Sequence, residues 1–324
     1  MKLIIQIPCL NEAGTLGIAL AELPRAVDGF DSVEWLIIDD GSTDATVEVA
    51  KAAGVDHVVR HTRNQGLARA FMSGLNACLQ AGADVIVNTD ADNQYNANDI
   101  VNLTTPILRH EADIVVGARP ISQIEHFSPV KKALQKLGSL VVRLASDTRI
   151  EDAPSGFRAM SREAAESLMV FNDYTYTLET IIQAGQKNMA IMSVPVRVNE
   201  DLRPSRLVSS IPRYIQRSIF TIVRIFVVYR PFRFFGTLGF ILVLIGGLIG
   251  LRFLWNYVQG AGQGNIQSLI LAGALLVMGY QTFLAAFMAD LLAANRKLSE
   301  DIRSQVRRLA RHQGLETEPL EKHE

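Results

Sequence analysis

Two carboxylates one residue apart, Asp90 and Asp92, follow the apolar run Val85-Ile86-Val87 and open the polar stretch Asn93-Gln94-Tyr95-Asn96. The pattern reads as a short buried strand that ends in an acidic loop. In extended chain, residues i and i+2 project to the same side. Two hard oxygen ligands on one side can share a divalent cation, and such a cation commonly also holds a substrate diphosphate. A solvated turn carrying two acids would use the same residues, so the rest of the chain must decide between them.

The elements that would position this pair come from the first 200 residues, where strand and helix patterns alternate. Strands are expected at Leu3–Ile7, Trp35–Ile38, His57–Val59, at Val85 and at Ile114–Val116. Helices are expected over Ala13–Ala26, Asp44–Ala53, Gly66–Ala81 and Asp99–His110, with Ser42 or Thr43 capping the second. Such alternation implies an α/β fold with a mostly parallel sheet covered on both faces. Ligands of these sheets sit beyond the carboxyl ends of the strands. Three strand ends carry acids: Pro8-Cys9-Leu10-Asn11-Glu12, Asp39-Asp40-Gly41-Ser42 and Asp90-Ala91-Asp92. So negative a crevice destabilises the fold unless a cation sits in it. This favours a metal over the solvated turn. Asp39 and Asp40 can accept hydrogen bonds from base or ribose donors, or act as helix caps.

Charge is unevenly divided. Residues 1–202 hold 17 Lys/Arg against 26 Asp/Glu, whereas residues 203–324 hold 15 against 7. A basic C-terminal part implies an anionic partner, membrane or nucleic acid. Two apolar stretches, about 234–258 and 266–290, each exceed the roughly 20 residues that cross a bilayer as helix. Arg224, Arg230 and Arg233 precede the first; Arg296, Lys297, Arg303, Arg307, Arg308 and Arg311 follow the second. Both ends are therefore expected in the cytoplasm, with the short link 259–265 outside. This accounts for the basic part without nucleic acid. Ahead of the first span, Arg206, Arg213, Arg217 and Arg224 form one helical stripe beside Ile211, Ile215, Ile219 and Ile222. That suits a helix lying in the membrane interface. Cys9 and Cys78 lie in apolar segments and read as core thiols of a reducing compartment. The N-terminus enters a strand pattern directly, and no signal peptide is expected.

Neither Gly-x-Gly-x-x-Gly nor Gly-Lys-Ser/Thr follows a strand, which removes the usual dinucleotide and P-loop readings. The motifs Ile7-Pro8-x-x-Asn11-Glu12, Ile38-Asp39-Asp40-Gly41-Ser42-Thr43-Asp44, Asn64-x-Gly66, Asp90-Ala91-Asp92-x-Gln94, Gly117-x-Arg119 and Asp152-x-x-Ser155-Gly156-Phe157-Arg158 resemble family 2 glycosyltransferases. Within that family they are similar to the dolichol-phosphate mannose synthase and bactoprenol glucosyltransferase group. The resemblance covers about residues 1–210. It implies a GT-A fold, which is Rossmann-like, and inverting transfer of a sugar from a UDP- or GDP-linked hexose to a membrane polyprenyl phosphate, for cell-envelope glycosylation.

On the same resemblance, Pro8, Asn11, Glu12, Asp39, Asp40 and Asp90 line the nucleotide-sugar pocket. Asp90, Asp92 and Gln94 hold Mg²⁺ or Mn²⁺. Asp92, Asp152 and Arg119 are the catalytic candidates, with Asp152 orienting the acceptor or a sugar hydroxyl. Arg119, Arg203 and Arg206 are candidates for the acceptor phosphate, because a guanidinium fork donates two hydrogen bonds to it. Tetramers are implied by the resemblance alone. The chain departs from the group at Arg203-Pro204-Ser205-Arg206, where a Gly-x-Ser-Lys element is common, and at Asn93 and Tyr95-Asn96-Ala97.

The expected organisation is a cytoplasmic catalytic domain at 1–205, an amphipathic juxtamembrane helix at 206–232, a two-helix hairpin at 233–292 and a basic cytoplasmic tail at 293–324. The whole is expected in the plasma (inner) membrane. A processive polysaccharide synthase is disfavoured, since Trp35 and Trp255 lie outside any Gln-x-x-Arg-Trp element. An inactive scaffold that binds nucleotide sugar is the other reading, and the intact acidic set argues against it.

Overall fold

The computed structural model describes residues 1–120, 138–140, 142–143, 146–170, 176–200, 216, 220, 223–224, 227–259, 266–312 and 321–322. The chain divides into two compact units, Met1–Ser218 with Asp301–Glu324, and Ile219–Glu300.

The first unit is built on one sheet. Its strands are β1 (Lys2–Cys9), β2 (Ser32–Asp39), β3 (His57–Arg60), β4 (Val85–Asn88), β5 (Ile114–Ala118), β6 (Arg158–Ser161) and β7 (Ile191–Pro195). They lie in the order β7-β5-β6-β4-β1-β2-β3, and a two-residue strand β8 (Glu321–Lys322) pairs with β3. The pairs β1–β2, β1–β4, β2–β3 and β5–β7 are parallel. Strand β6 runs antiparallel between β4 and β5. The expected mixed α/β architecture is present, and β6 is the reversal within it.

Burial explains the strand patterns. Leu3, Ile5 and Ile7 of β1, Ile37 of β2 and Val85 and Val87 of β4 are fully buried in one apolar core. Runs apolar on both faces mark strands covered by helices on both sides. The covering helices are α1 (Leu16–Glu22), α2 (Thr46–Ala52), α3 (Leu67–Gln80), α4 (Ile100–Leu108), α5 (Arg162–Ser167) and α6 (Thr177–Gln186). Helix α2 is not capped by Ser42 or Thr43. Asp44 Oδ1 takes the Thr46 amide, and Ser42 Oγ instead accepts from the Asn11 amide.

The second unit contains α7 (Pro231–Val258) and most of α8 (Ile266–His312). Pro231 opens α7 where its missing N–H removes no helical bond. Both helices are long and apolar enough to cross a membrane. They meet through small residues: a Cβ on Gly239 would lie 3.1 Å from the Gly279 carbonyl, and one on Gly246 3.1 Å from the Ala272 carbonyl. Outward residues such as Leu251, Trp255, Ile270 and Leu291 are exposed. Arg296 Nη2 donates to Tyr229 Oη at 3.1 Å. Most of the expected juxtamembrane helix, and the link at 260–265, lie outside the described residues.

Candidate active site

Parallel pairing brings the ends of β2, β1 and β4 side by side, with Cys9 opposite Asp39 and Gln6 opposite Asn88. The first loop after β1 is tied to the loop after β2. Ser42 Oγ accepts from the Asn11 amide at 2.9 Å, and Asn11 Oδ1 accepts from the Thr43 amide at 2.8 Å. Asn11 holds a left-handed φ of 54°, which asparagine tolerates better than most residues. The Glu12 carbonyl accepts from the first amides of α1, and its carboxylate accepts from Thr15 Oγ1 at 2.8 Å.

The two acids of the second strand end are used differently. Asp40 is spent on the protein itself: Oδ1 accepts from the Gln65 amide and lies 2.7 Å from His61 Nδ1, while Oδ2 accepts from the Gly66 amide. His61 Nε2 reaches Ser73 Oγ at 2.9 Å. Asp39 is fully buried, and its Oδ1 accepts from the Ser42 amide. Its Oδ2 makes no hydrogen bond among the described residues, with Arg60 Nε 3.3 Å away. That oxygen is therefore ion-paired with Arg60 but has hydrogen-bonding capacity left over.

The third strand end differs locally from the expected extended chain. Strand β4 stops at Asn88, and Asp90-Ala91-Asp92 enters a turn. Asp92 Oδ1 accepts from the Gln94 amide at 3.3 Å, and Asn93 has a φ of 57°. Asp90, Asp92 and Gln94 are nevertheless the more open positions, alternating with buried Ala91, Asn93 and Tyr95. The two carboxylates stand in a turn and not at the end of a strand, close enough for the Asp92 charge to act on Asp90.

Asp90 rests on the loop before β6. A Cβ on Gly156 would lie 3.0 and 3.1 Å from its two carboxylate oxygens and 3.1 Å from Tyr176 Oη. Beneath, Asn88 Nδ2 donates to the Gly156 carbonyl and to Tyr176 Oη, both at 2.9 Å, and Asn88 Oδ1 accepts from Gln6. Burial first, and then the Asp92 charge, push the Asp90 carboxyl up to about 7 against the opposing pull of Arg119 and Arg158. Arg158 is fully buried and donates to the carbonyls of Thr177 and Ser155 and to Thr180 Oγ1.

Arg119 and Asp152 form a two-pronged ion pair: Nε to Oδ2 at 2.7 Å and Nη2 to Oδ1 at 3.1 Å. Their side chains are 8% and 1% exposed. Burial opposes the Arg119 charge, but Tyr95, Asp152 and Asp90 outweigh it and hold the guanidinium above its ordinary value. Both Asp152 oxygens face Arg119, so Asp152 acts on its surroundings through that arginine.

Glu12, Asp90, Asp92, Arg119 and Asp152 thus share one electrostatic neighbourhood, with Asn11 and Asp39 beside it and Pro8 in β1 paired to Ile38. Arg203 and Arg206 lie outside the described residues. Asn88, Tyr176 and His61 carry no signal in the sequence, because their roles come from contacts with residues far along the chain, and Tyr95 stands out there only as a departure from the group's pattern. Gly156 and Arg158 stood within a motif without an assigned role.

Residues 4–169 match the model of the family described as Glycosyl transferase family 2. The chain belongs to this family. Its relatives include an undecaprenyl-phosphate mannosyltransferase of Micrococcus luteus, 26% identical over 218 residues, covering 64% of this chain and 88% of the relative. Another is a UDP-N-acetylglucosamine–dolichyl-phosphate N-acetylglucosaminyltransferase of Methanococcus voltae, 28% identical over 213 residues, with 59% and 83% covered. Among solved structures, the fold resembles glucosyl-3-phosphoglycerate synthase of Mycobacterium tuberculosis in complex with Mn²⁺, UDP and glucosyl-3-phosphoglycerate. The TM-score is 0.51 and the identity 22%, over 68% of this chain and 79% of that one. For this family 2 transferase, that likeness speaks to the fold alone.

Proposed function

We propose that this family 2 transferase moves a hexose from a nucleoside-diphosphate sugar to a membrane polyprenyl phosphate, with inversion, for cell-envelope glycosylation. The observation that carries the donor half is the Asp90–Asp92 pair. Two carboxylates one residue apart in a turn, one of them raised to about 7 by burial first and then by the other's charge, are a hard-oxygen set whose mutual repulsion a divalent cation relieves. The donor set fits Mg²⁺ or Mn²⁺, held by Asp90, Asp92 and Gln94. Bound there, the ion supplies Lewis-acid neutralisation of the leaving nucleoside diphosphate.

The chain's own residues do the rest. Asp39 Oδ2 accepts an N–H of the base once the exposed Arg60 side chain, 3.3 Å from it, swings aside. Asn11 and Glu12 fix the loop that walls the pocket, and Pro8 sets its path. Asp40, fully engaged, braces the facing loop 61–66. Arg119, oriented by Asp152, presents positive charge toward the acceptor phosphate. A phosphate oxygen of the acceptor bonds to the anomeric carbon as the bond to the donor diphosphate breaks on the opposite face. The acceptor is already an anion at neutral pH, so no strong general base is required. Positioning and charge neutralisation dominate. The relatives named for undecaprenyl and dolichyl phosphate support this acceptor, as do the two helices able to span a bilayer.

The test is a panel of UDP- and GDP-sugars with Mg²⁺ or Mn²⁺ and undecaprenyl phosphate, read as lipid-linked sugar. The expected result is product from at least one donor, and an Asp92→Ala protein that stays folded yet is slower by roughly a thousandfold. No lipid-linked sugar from any donor would leave a nucleotide-sugar-binding scaffold as the reading.

A further inference from the structure

The acidic turn is held from outside by a segment far along the chain. Val198 forms an isolated antiparallel bridge with Tyr95. The Asn96 amide donates to the Arg197 carbonyl at 3.2 Å, and the Asn199 amide donates to the Gln94 carbonyl at 2.9 Å. The Asn199 side chain then closes the turn. Its Nδ2 lies 3.0 Å from the Asn93 carbonyl and 3.3 Å from the Tyr95 carbonyl, and 3.3 Å from Glu22 Oε2. Its Oδ1 accepts from Asn96 Nδ2 at 3.4 Å. One amide therefore engages the residues on both sides of Gln94, while its own backbone takes the Gln94 carbonyl.

The turn needs such support. Asn93 sits in the left-handed region, and Asp92 and Gln94 are joined to each other by one long bond of 3.3 Å. A turn of this kind has several conformations of similar energy, and only some place both carboxylates on one side. Asn, unlike a hydrophobic residue, has two donors and an acceptor with which to select one of them.

We propose that Asn199 is a positioning residue for the metal site: it selects the conformation of residues 93–96 in which Asp92 and Gln94 stand beside Asp90. This rests on the metal reading of Asp90 and Asp92 given above. Asn199 touches neither metal nor substrate, and it acts through the backbone of the turn.

The test measures Mn²⁺ affinity of the full-length protein in detergent by calorimetry, with UDP and GDP supplied in turn and no acceptor present. Asn199→Ala is expected to weaken Mn²⁺ binding by roughly tenfold or more, the usual effect of removing a group that orients metal ligands. Ser161→Ala is the control for stability. It removes the side-chain cap of α5, at the opposite end of β4 from Asp90. Its Mn²⁺ affinity should match wild type even though its melting temperature falls. Asn199→Ala binding within twofold of wild type, or Ser161→Ala losing as much affinity as Asn199→Ala, overturns the positioning role and leaves the proposed function standing. A wild-type protein that binds no Mn²⁺ with either nucleotide overturns the metal reading and this inference with it.

Discussion

At the scale of single residues, the site trades stability for chemistry at Asp90. A carboxyl with an ordinary value of 3.8 is pushed up to about 7 in the folded chain. Between those values the folded protein holds a proton that the unfolded chain has lost, so stability falls as pH rises from about 4 to about 7. Asp90→Asn removes that penalty. Without metal at pH 8, the variant should be more stable than wild type, by on the order of 2–4 kcal/mol, while turnover collapses. The gain should vanish near pH 3, below both values, where both states are mainly protonated. Melting curves in chelator at pH 3 and pH 8 check it. The Arg119–Asp152 pair predicts the opposite sign. Asp152→Asn leaves a buried guanidinium without its counter-charge, and breaking such a pair destabilises by about 3–5 kcal/mol. Denaturant titration at pH 7 reads this directly, and a loss under 1 kcal/mol would show that Arg119 finds another partner.

At the scale of elements, close packing beneath the acidic turn makes Gly156 part of the site. A methyl at that position would press on both Asp90 oxygens at 3.0 and 3.1 Å. Gly156→Ala should therefore weaken Mn²⁺ binding about tenfold, with a stability loss of about 1–3 kcal/mol typical of an overpacked interior. Calorimetry and a thermal melt separate the two effects. The elements also show what a sequence can and cannot disclose. Strands β1 to β5 were legible because each is an apolar run that stops at a polar motif, with the ends set by pairing. Strand β6 was not: Arg158-Ala-Met-Ser offers no apolar run, and its first residue is a fully buried arginine held by Ser155, Thr177 and Thr180. The acids of the site were legible from type and spacing. Their support was not, since Arg119 meets Asp152 only because β6 reverses direction between β4 and β5. Asn199 gave no signal at all, because an amide that binds backbone carbonyls leaves no mark on the residues it holds. The division of labour between Asp39 and Asp40 also waited for geometry, since adjacent identical residues point to different partners.

At the scale of the whole molecule, an acidic catalytic half and a basic half with two long apolar helices must be arranged about one bilayer. Helix α7 has 28 residues, hence a length of about 42 Å, more than a hydrocarbon core of about 30 Å. With basic residues before α7 and after the apolar part of α8, the positive-inside rule predicts that both flanks lie in the cytoplasm. Nucleotide sugars are made there, so orientation and donor chemistry must agree. The chain's two thiols make the test clean. Cys9 and Cys78 are buried, and burial pushes both thiols well above the ordinary value, which leaves little thiolate to react. A single introduced cysteine should therefore dominate labelling by a membrane-impermeant maleimide. Gln263→Cys, in the link between the apolar stretches, should label in intact cells. Glu316→Cys, in the tail, should label only after lysis. The reverse pattern would place the Asp90–Asp92 turn on the face that nucleotide sugars do not reach. A nucleoside-diphosphate sugar could then no longer be its donor, even if the metal site were intact.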